Sequence, residues 1–341
     1  MIEYLPWSKA VFEDCMSYYN SGEYVILDIE LGGQCNYQCI YCDSPRRELF
    51  CHISLEKIEA TFIDNRIKWV FICGLGEPTV NDNFQILTKI LSFCEKHGAK
   101  CSIFTNLSNL NSVLEEYIKK QILYVMFKFD SNDIVKNISL YGVPNVKQQL
   151  YNIDRVKRLV SVTNGCTNVA ASIVPTQINK NDIIDIVKEC LDCNIFPLIA
   201  ELENSGVAQD YYSQLSLSVT ELEQIRSEVN AFTGEYYQIP VCPSVICGIH
   251  IRHDGNVTVD EHTGLSCHWF WLEEPRTKII GSFNSGIIND IINNLDLYRK
   301  NRIDDVKSLL SQQYETVFGG CGGDINYLLR RYLEINEGGK A

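Results

Sequence analysis

The sequence lacks any uninterrupted apolar run of the roughly 18 residues that a membrane-spanning helix needs. Its first residues mix charged and aromatic side chains, without the apolar core of a secretory signal peptide. Positive charge is also scarce, because 30 lysines and arginines face 43 aspartates and glutamates, for a formal net charge of −13. No basic run supplies the concentrated charge of a nucleic-acid surface. We therefore expect a cytoplasmic protein with neither a membrane nor a nucleic-acid partner.

Cysteine, in contrast, is abundant, with 15 in the chain. Disulfides rarely persist in a reducing cytosol, so clustered thiols there indicate metal ligands or redox groups first. Eight cysteines are scattered, most of them in apolar patterns, where a free thiol packs as a small hydrophobic side chain. The other seven form two groups, and these groups carry the functional hypothesis.

Short β-rich runs alternate with longer helical patterns from residue 24 to about residue 203. The predicted strands are Tyr24–Leu31, Trp69–Cys73, Lys100–Phe104, Leu123–Phe129, Asn168–Val174 and Ile195–Ala200. Six successive β/α units predict parallel strands joined by right-handed crossovers. Six strands suit an open, partial (β/α)6 barrel better than a closed eight-stranded one. The chemistry is then expected in the loops at the carboxyl ends of the strands.

The pattern changes between residues 204 and 218, where we place a domain boundary. Thr220 and Glu223 have the spacing of a capping box that opens a helix. Further on, the stretch IRHDGNVTV predicts a β-hairpin that turns at Asp254-Gly255. We expect an N-terminal helical extension, a main α/β domain and a smaller C-terminal α+β domain, over residues 1–23, 24–205 and 206–341.

The first cysteine group follows the first predicted strand, in the stretch GGQCNYQCIYCDSP. Cys35, Cys39 and Cys42 are separated by three and then two residues, so three thiolates can reach three irons of one [4Fe–4S] cubane. Three ligands leave one iron open for a substrate or cofactor. The alternative is zinc, which prefers four ligands in paired spacings and would need Cys51 and His52 to complete its site.

This CxxxCxxC motif resembles the signature of the radical S-adenosylmethionine (SAM) superfamily. The resemblance implies a partial (β/α)6 barrel, a [4Fe–4S] cluster held by Cys35, Cys39 and Cys42, and SAM bound to the open iron. Members of the family reductively cleave SAM to a 5′-deoxyadenosyl radical, which abstracts hydrogen from the substrate. The resemblance also implies that Tyr41 lies against the adenine and that an electron donor such as flavodoxin or ferredoxin is a partner.

A second loop, CGLGEPT, follows the second predicted strand and resembles the family's GGEP motif. That motif binds the amino group of SAM through backbone carbonyls. The matching positions are Gly74, Gly76, Glu77 and Pro78, and Leu75 between the glycines departs from the family pattern. The alternative is an ordinary Gly-Pro turn.

Polar residues at later strand ends are further candidates for the SAM site. By the same resemblance, Asn106, Asp130, Ser131 and Ser172 are expected to contact the ribose and carboxylate of SAM. Helix N-caps or turn formers are the alternative explanation of Asp130 and Ser131.

The second cysteine group is Cys242, Cys247, Cys267 and Cys321. The stretch from Cys247 to Cys267 resembles the SPASM and shorter twitch modules of the superfamily, in which two cysteines flank a hairpin beside an auxiliary [4Fe–4S] cluster. The resemblance implies one auxiliary cluster, with Cys321 as a later ligand. The closing cysteine array of the full module is absent, and Phe318 stands where the first cysteine of the twitch CxxC pair would be.

Cys242 has several candidate roles. It is either a fourth ligand of the auxiliary cluster or a free thiol that donates a hydrogen atom, and without a fourth ligand the cluster has an open iron for substrate. Two alternatives concern the whole group: a mixed metal site that uses nearby histidines, or a purely structural set of cysteines. Four of the six histidines fall in this region: His250, His253, His262 and His268.

The resemblance implies the initiating chemistry and leaves the product open. We favour modification of a ribosomally made peptide by epimerisation or cross-linking, because auxiliary modules are frequent in such enzymes. Only about 23 residues precede the first predicted strand, too few for the leader-binding winged helix of many peptide-modifying members. The alternatives are oxidation or rearrangement of a small polar molecule, such as a sugar or aminocyclitol, and a non-catalytic iron–sulfur redox or binding protein.

Overall fold

The computed structural model describes residues 6–23, 26–42, 49–64, 67–72, 74–162, 168–234, 237–266, 277–311, 317–319 and 323–336. The predicted ligands Cys267 and Cys321 lie outside the described residues.

The predicted alternation of strands and helices is confirmed. Six parallel strands lie side by side in chain order: β1 Ile26–Ile29, β2 Trp69–Ile72, β3 Lys100–Thr105, β4 Leu123–Lys128, β5 Val169–Ile173 and β6 Phe196–Ile199. The helices between them are α2 Leu55–Asp64, α3 Asn81–His97, α4 Ser112–Lys119, α5 Ile134–Tyr141, α6 Lys147–Val162 and α7 Ile183–Asp192. Among the described strands the sheet has two free edges, so the open-barrel prediction is confirmed as well.

Both faces of the parallel strands are buried, as expected when helices cover a parallel sheet. Leu27 and Val70 point to one face and pack with α3 residues such as Leu87. Ile26 and Phe71 point to the opposite face, because side chains alternate along a strand. That second face packs against an N-terminal helix, α1 Lys9–Asn20, and a C-terminal helix, α13 Ile325–Asn336.

A hairpin and a third strand extend the same sheet beyond β1. Strand β7 Gly248–Ile251 pairs in parallel with β1, and β8 Asn256–Asp260 and β9 Thr277–Ser282 follow in antiparallel order. Gly255 takes a φ of 84° at the turn, which confirms the predicted hairpin. The C-terminal third therefore contributes strands to the main sheet, and the division into domains stays a prediction.

The remaining described elements are a 3₁₀ turn Gly206–Asp210 and the helices α8 Tyr212–Leu215, α9 Val219–Thr233, α10 Ser244–Cys247, α11 Ile288–Lys300 and α12 Ile303–Ser311. The predicted capping box of α9 is wrong by two residues. Ser218 and Glu221 have the same spacing, and the Ser218 side chain accepts the Glu221 N–H. None of the described helices has both the length and the apolar character needed to span a membrane.

Candidate active site

A cavity of about 230 Å³ lies at the carboxyl ends of the strands. It is lined by the loops after β1 and β2, by the ends of β3 to β6 and by the segment before α1. Most of the predicted cluster and SAM residues meet here: Cys35, Cys39, Tyr41, Cys42, Gly74, Gly76, Glu77, Asn106 and Ser172. This position is the one expected for the chemistry of a parallel α/β sheet.

The cysteine loop is held from behind by helix α5. The N–H groups of Gln38 and Ile40 donate to the carbonyls of Tyr141 and Leu140, at 2.9 and 3.0 Å. Gly142, which ends α5 with a φ of 63°, lies so close that a side chain there would overlap the Gln38 carbonyl. The sulfur-bearing loop is therefore positioned by backbone contacts.

The Gly74–Glu77 loop presses against the cysteine loop. A Cβ added to Gly76 would lie 2.6 Å from the Gln34 carbonyl oxygen, and it would be nearer still to that of Gly32. The Glu77 N–H donates to the Gln34 carbonyl at 2.8 Å. Asn83, at the start of α3, joins both loops by donating to the carbonyls of Gly32 and Glu77. A glycine is required at position 76 because two backbone segments meet there.

Glu77 is a buried carboxylate that ties the second loop to the end of β3. It accepts from the Thr105 hydroxyl at 2.6 Å and from the Asn106 N–H at 2.7 Å. Its other donor is Thr79, through backbone and hydroxyl. Burial raises the pKa of Glu77 above its ordinary value, and the hydrogen bonds from Thr105 and Thr79 oppose the rise. Glu77 therefore positions the backbone around the cavity.

Tyr41, Asp130 and Lys128 form a connected group on the β4 side. The Tyr41 hydroxyl donates to Asp130 at 2.5 Å, and the Val174 N–H donates to the other carboxylate oxygen at 2.8 Å. The Lys128 ammonium lies 4.8 Å from the centre of the Tyr41 ring and 3.8 Å from Asp130. Lys128 lines the cavity, whereas Asp130 is fully buried behind it. Asp130 therefore orients Tyr41, and Lys128 supplies the cation.

Ser131 and Pro78 do not line the cavity. The Ser131 hydroxyl donates to Asp182 and accepts the Asp133 N–H, so it organises the turn that leads into α5. Ser131 is buried, and its hydroxyl makes both of these hydrogen bonds within the protein. This geometry is that of a turn-forming residue, the alternative to a SAM contact. Contact of Asp130 and Ser131 with SAM therefore stays a prediction.

The three cysteines of the loop fit a cubane. Cys35 is exposed, and Cys39 and Cys42 are half-buried, all three at the cavity wall. Burial, followed by the proximity of the other two thiols, raises the pKa of Cys39, and bound iron would offset both effects by stabilising thiolates. Across the described ranges, no three His, Cys, Asp or Glu side chains converge on one ion. A cubane needs no such convergence, because each thiolate binds a different iron.

Cys242 and Cys247 have a different environment. Cys247 ends α10 at the amino end of β7, and its sulfur lies 3.3 Å from that of Met16 in the core. Burial raises the pKa of Cys247 well above its ordinary value. Cys242 is also buried in this core. Neither sulfur is presented at the cavity, so the auxiliary cluster and its ligand set stay predictions.

One part of the cavity wall is apolar, and no sequence pattern predicted it. Trp7 lines it, stacked on Phe71 at 5.4 Å and edge-on to Phe104 at 5.1 Å. Leu198, Leu202 and Pro240 continue this wall. Because these residues come from distant parts of the chain, no local pattern could have grouped them.

Comparison with known proteins agrees with this geometry. The model of the radical SAM superfamily matches residues 29–190, which include the three cysteines and the Gly74–Glu77 loop. The chain contains a radical SAM domain. As a radical SAM enzyme, it uses a [4Fe–4S] cluster and SAM. No curated protein sequence matches it.

Several solved structures resemble this radical SAM enzyme. Streptococcus suis SuiB bound to S-adenosylmethionine has a TM-score of 0.56 at 18% identity, over 80% of this chain and 67% of that chain. SuiB bound to precursor peptide SuiA has a TM-score of 0.51 at 18% identity, over 81% and 67%. Native anSMEcpe with bound AdoMet and Cp18Cys peptide has a TM-score of 0.51 at 13% identity, over 92% and 96%. These similarities show a shared fold.

Proposed function

We propose that this radical SAM enzyme modifies a ribosomally made peptide, by epimerisation or cross-linking at an unactivated carbon. The observation that carries the proposal is the apolar part of the cavity wall, formed by Trp7, Phe104, Leu198, Leu202 and Pro240. An apolar wall suits a peptide side chain, whereas a sugar needs several convergent hydrogen-bonding groups. Two similar structures also contain a peptide, SuiA in one and Cp18Cys in the other.

The cysteine loop and the Gly74–Glu77 loop would hold the cofactors. Cys35, Cys39 and Cys42 would bind the cluster, and the backbone at Gly74–Glu77 would face the amino group of SAM. When bound there, the reduced cluster and SAM would supply the radical chemistry for hydrogen abstraction from the substrate. Lys128 offers a cation to the SAM carboxylate.

Other residues keep this site in order. Asp130 fixes the Tyr41 ring through the Tyr41 hydroxyl. Trp7 closes the apolar side and keeps water from the region where a radical would form. The Trp7 carbonyl accepts the Val241 N–H at 2.8 Å, which anchors this residue to the segment beside Pro240.

A small polar substrate is the alternative, favoured by Glu201 and Glu203 at the cavity wall. One carboxylate oxygen of Glu201, however, already accepts three backbone N–H groups, from Val317, Phe318 and Gly319. Much of its hydrogen-bonding capacity therefore serves the C-terminal segment.

The test uses anaerobically reconstituted, dithionite-reduced enzyme with SAM. Short precursor peptides encoded beside the gene are compared with a panel of sugars and aminocyclitols. We expect a peptide to accelerate 5′-deoxyadenosine formation and to emerge changed in mass or in Cα configuration. Acceleration by a sugar or aminocyclitol alone would contradict the peptide proposal. In the Trp7→Ala variant, peptide turnover should fall while SAM cleavage without substrate persists.

A further inference from the structure

Four buried ionisable side chains lie where the C-terminal hairpin joins the main sheet: Asp28, Glu30, His250 and His253. Asp28 and Glu30 are 0% exposed, His250 1% and His253 7%. Asp28 pairs with His250 in the parallel register of β1 and β7, and Glu30 directly follows β1. The group therefore sits just before the cysteine loop.

The charges in this group compensate one another. His250 lies between two carboxylates, with its Nδ1 3.4 Å from Asp28 and its Nε2 3.4 Å from Glu30. His253 Nδ1 lies 3.4 Å from the second oxygen of Glu30. Burial opposes a charge on His250, but Asp28 and Glu30 outweigh it and raise the pKa of His250 to about 10. Removing one partner would leave an uncompensated buried charge.

Glu30 also lies against the loop that faces the cavity. A Cβ added to Gly74 would be 3.2 Å from the Glu30 Cγ and 3.5 Å from its Oε1. Gly74 has a φ of 96°, lines the cavity and begins the Gly74–Glu77 loop. The backbone of that loop therefore rests on a carboxylate that two imidazoles hold in place.

The hairpin region holds the other end of the cysteine loop as well. The His52 N–H donates to the His253 carbonyl at 2.6 Å. Asn284, after β9, donates to the His52 carbonyl and accepts the Ser54 N–H, both at 2.8 Å. Residues before and after the three cysteines are thus fixed by the same C-terminal strands.

We propose that Glu30, clamped by His250 and His253, is a positioning residue that sets the Gly74–Glu77 loop for SAM. In this proposal the C-terminal hairpin supports the cofactor site from behind. The inference rests on the proposed SAM site and assigns the hairpin a role that needs no auxiliary cluster. Glu30 lies against Gly74 and does not line the cavity, so its effect passes through Gly74.

The test compares Glu30→Gln with a matched control, Asp28→Asn. Both variants remove one carboxylate charge beside His250, but Asp28 lies two residues earlier on β1 and contacts Ser244, whose hydroxyl donates to it at 2.7 Å. In reconstituted enzyme we expect Glu30→Gln to weaken SAM binding about tenfold, the lower end of what losing an outer-shell support costs at a ligand site. Asp28→Asn should bind SAM within about twofold of wild type at a similar loss of thermal stability, because it leaves the Glu30 support in place.

The second readout is the change that SAM causes in the electron paramagnetic resonance spectrum of the reduced cluster. Glu30→Gln should retain the iron and show a diminished change, which a general loss of stability would not produce. Unchanged SAM affinity in Glu30→Gln, or equal weakening in both variants, would overturn the inference. If Glu30→Gln fails to fold, His253→Asn takes its place in the comparison with Asp28→Asn, because it removes the imidazole that faces the second carboxylate oxygen of Glu30. A wild-type enzyme with no SAM-induced change would instead mean that the proposed function has failed.

Discussion

The three cysteines of the first group and the two described cysteines of the second group have opposite surroundings. Cys35, Cys39 and Cys42 stand on a loop at the carboxyl edge of the sheet, exposed or half-buried around one cavity. Cys242 and Cys247 are packed in the core, and Cys247 lies at the amino end of β7. The sequence predicted metal ligands in both groups and did not distinguish these environments. The difference shows that a cysteine qualifies as a ligand by where its sulfur points as much as by its neighbours in sequence.

The largest effect is expected where the comparison predicts true ligands. Replacing Cys35, Cys39 and Cys42 together by Ala should remove about four irons per chain, the content of one cubane. Cys51→Ala is the control, because its half-buried thiol would be a ligand only in the zinc alternative. Iron and zinc are measured after anaerobic purification. Iron loss in Cys51→Ala, or zinc in place of iron, would break the assignment.

The next effect concerns the glycine at which the two loops of the cavity meet. Gly76→Ala combines a φ of 69° with overlap against two carbonyl oxygens, so we expect it to abolish detectable SAM binding. Gly98→Ala is the matched control, with the same φ of 69° and nothing within 4 Å. It should cost only about 1 kcal/mol in the free energy of unfolding and leave SAM binding intact. Calorimetric titration and thermal unfolding of both variants separate backbone strain from steric overlap.

A smaller effect is expected at the buried cysteine. If Cys247 remains packed against Met16, Cys247→Ala should keep the iron content of wild type and lose about 1 kcal/mol of stability. A lower iron content in Cys247→Ala would instead indicate that Cys247 is a ligand of an auxiliary cluster. The two cysteine groups would then both bind metal.

The variant Cys242→Ala tests whether the second buried cysteine is a ligand, a hydrogen donor or a packed side chain, through its iron content and its product. As a hydrogen donor it would leave iron unchanged in Cys242→Ala and divert the product, whereas as a ligand it would lower iron. It cannot do both at once, because ligation consumes the thiol as thiolate. Full iron with normal product would leave it a packed cysteine.

The smallest effect is a pH dependence of stability in the Asp28–His250–Glu30 group. Because the pKa of His250 is raised from 6.5 to about 10, its contribution is complete below pH 6.5 and is lost as pH rises toward 10. Burial opposes ionisation of Glu30, but the facing imidazoles of His250 and His253 outweigh it and lower the pKa of Glu30 to about 2, so its contribution is lost as pH falls from 4.5 toward 2. The melting temperature of the wild type should fall between pH 6.5 and 10 more steeply than the melting temperature of His250→Gln. Parallel curves would contradict this assignment.

The six parallel strands and the first cysteine group were predicted from the sequence because each of them lies within one short, continuous stretch of the chain. Local sequence patterns missed α5, which is only 8 residues long between its cap Asp133 and Gly142. They placed the α9 capping box two residues late because Ser218 and Thr220 offer the same spacing to Glu221 and Glu223. The first error concerns an element too short to show a clear helical pattern. The second concerns a helix start at which two pairs of residues have the same spacing.

Tertiary placement was beyond the sequence for a different reason. Trp7 reaches the cavity only because α1 packs on one face of the sheet, and Cys247 is buried only because β7 pairs with β1. Lys128 carried a weak signal, as a cation at the end of β4, two residues before the candidate contact Asp130. Asn83 gave none, since its role depends on two loops meeting.

The central claim is that the cavity at the carboxyl edge binds and cleaves SAM. The most direct measurement is the 5′-deoxyadenosine and methionine released when anaerobically reconstituted, dithionite-reduced protein is incubated with SAM and no substrate. We expect at least one 5′-deoxyadenosine per chain from wild type and none from the variant that lacks Cys35, Cys39 and Cys42. Release at the wild-type rate from that variant, or none from wild type carrying its full iron, would contradict it.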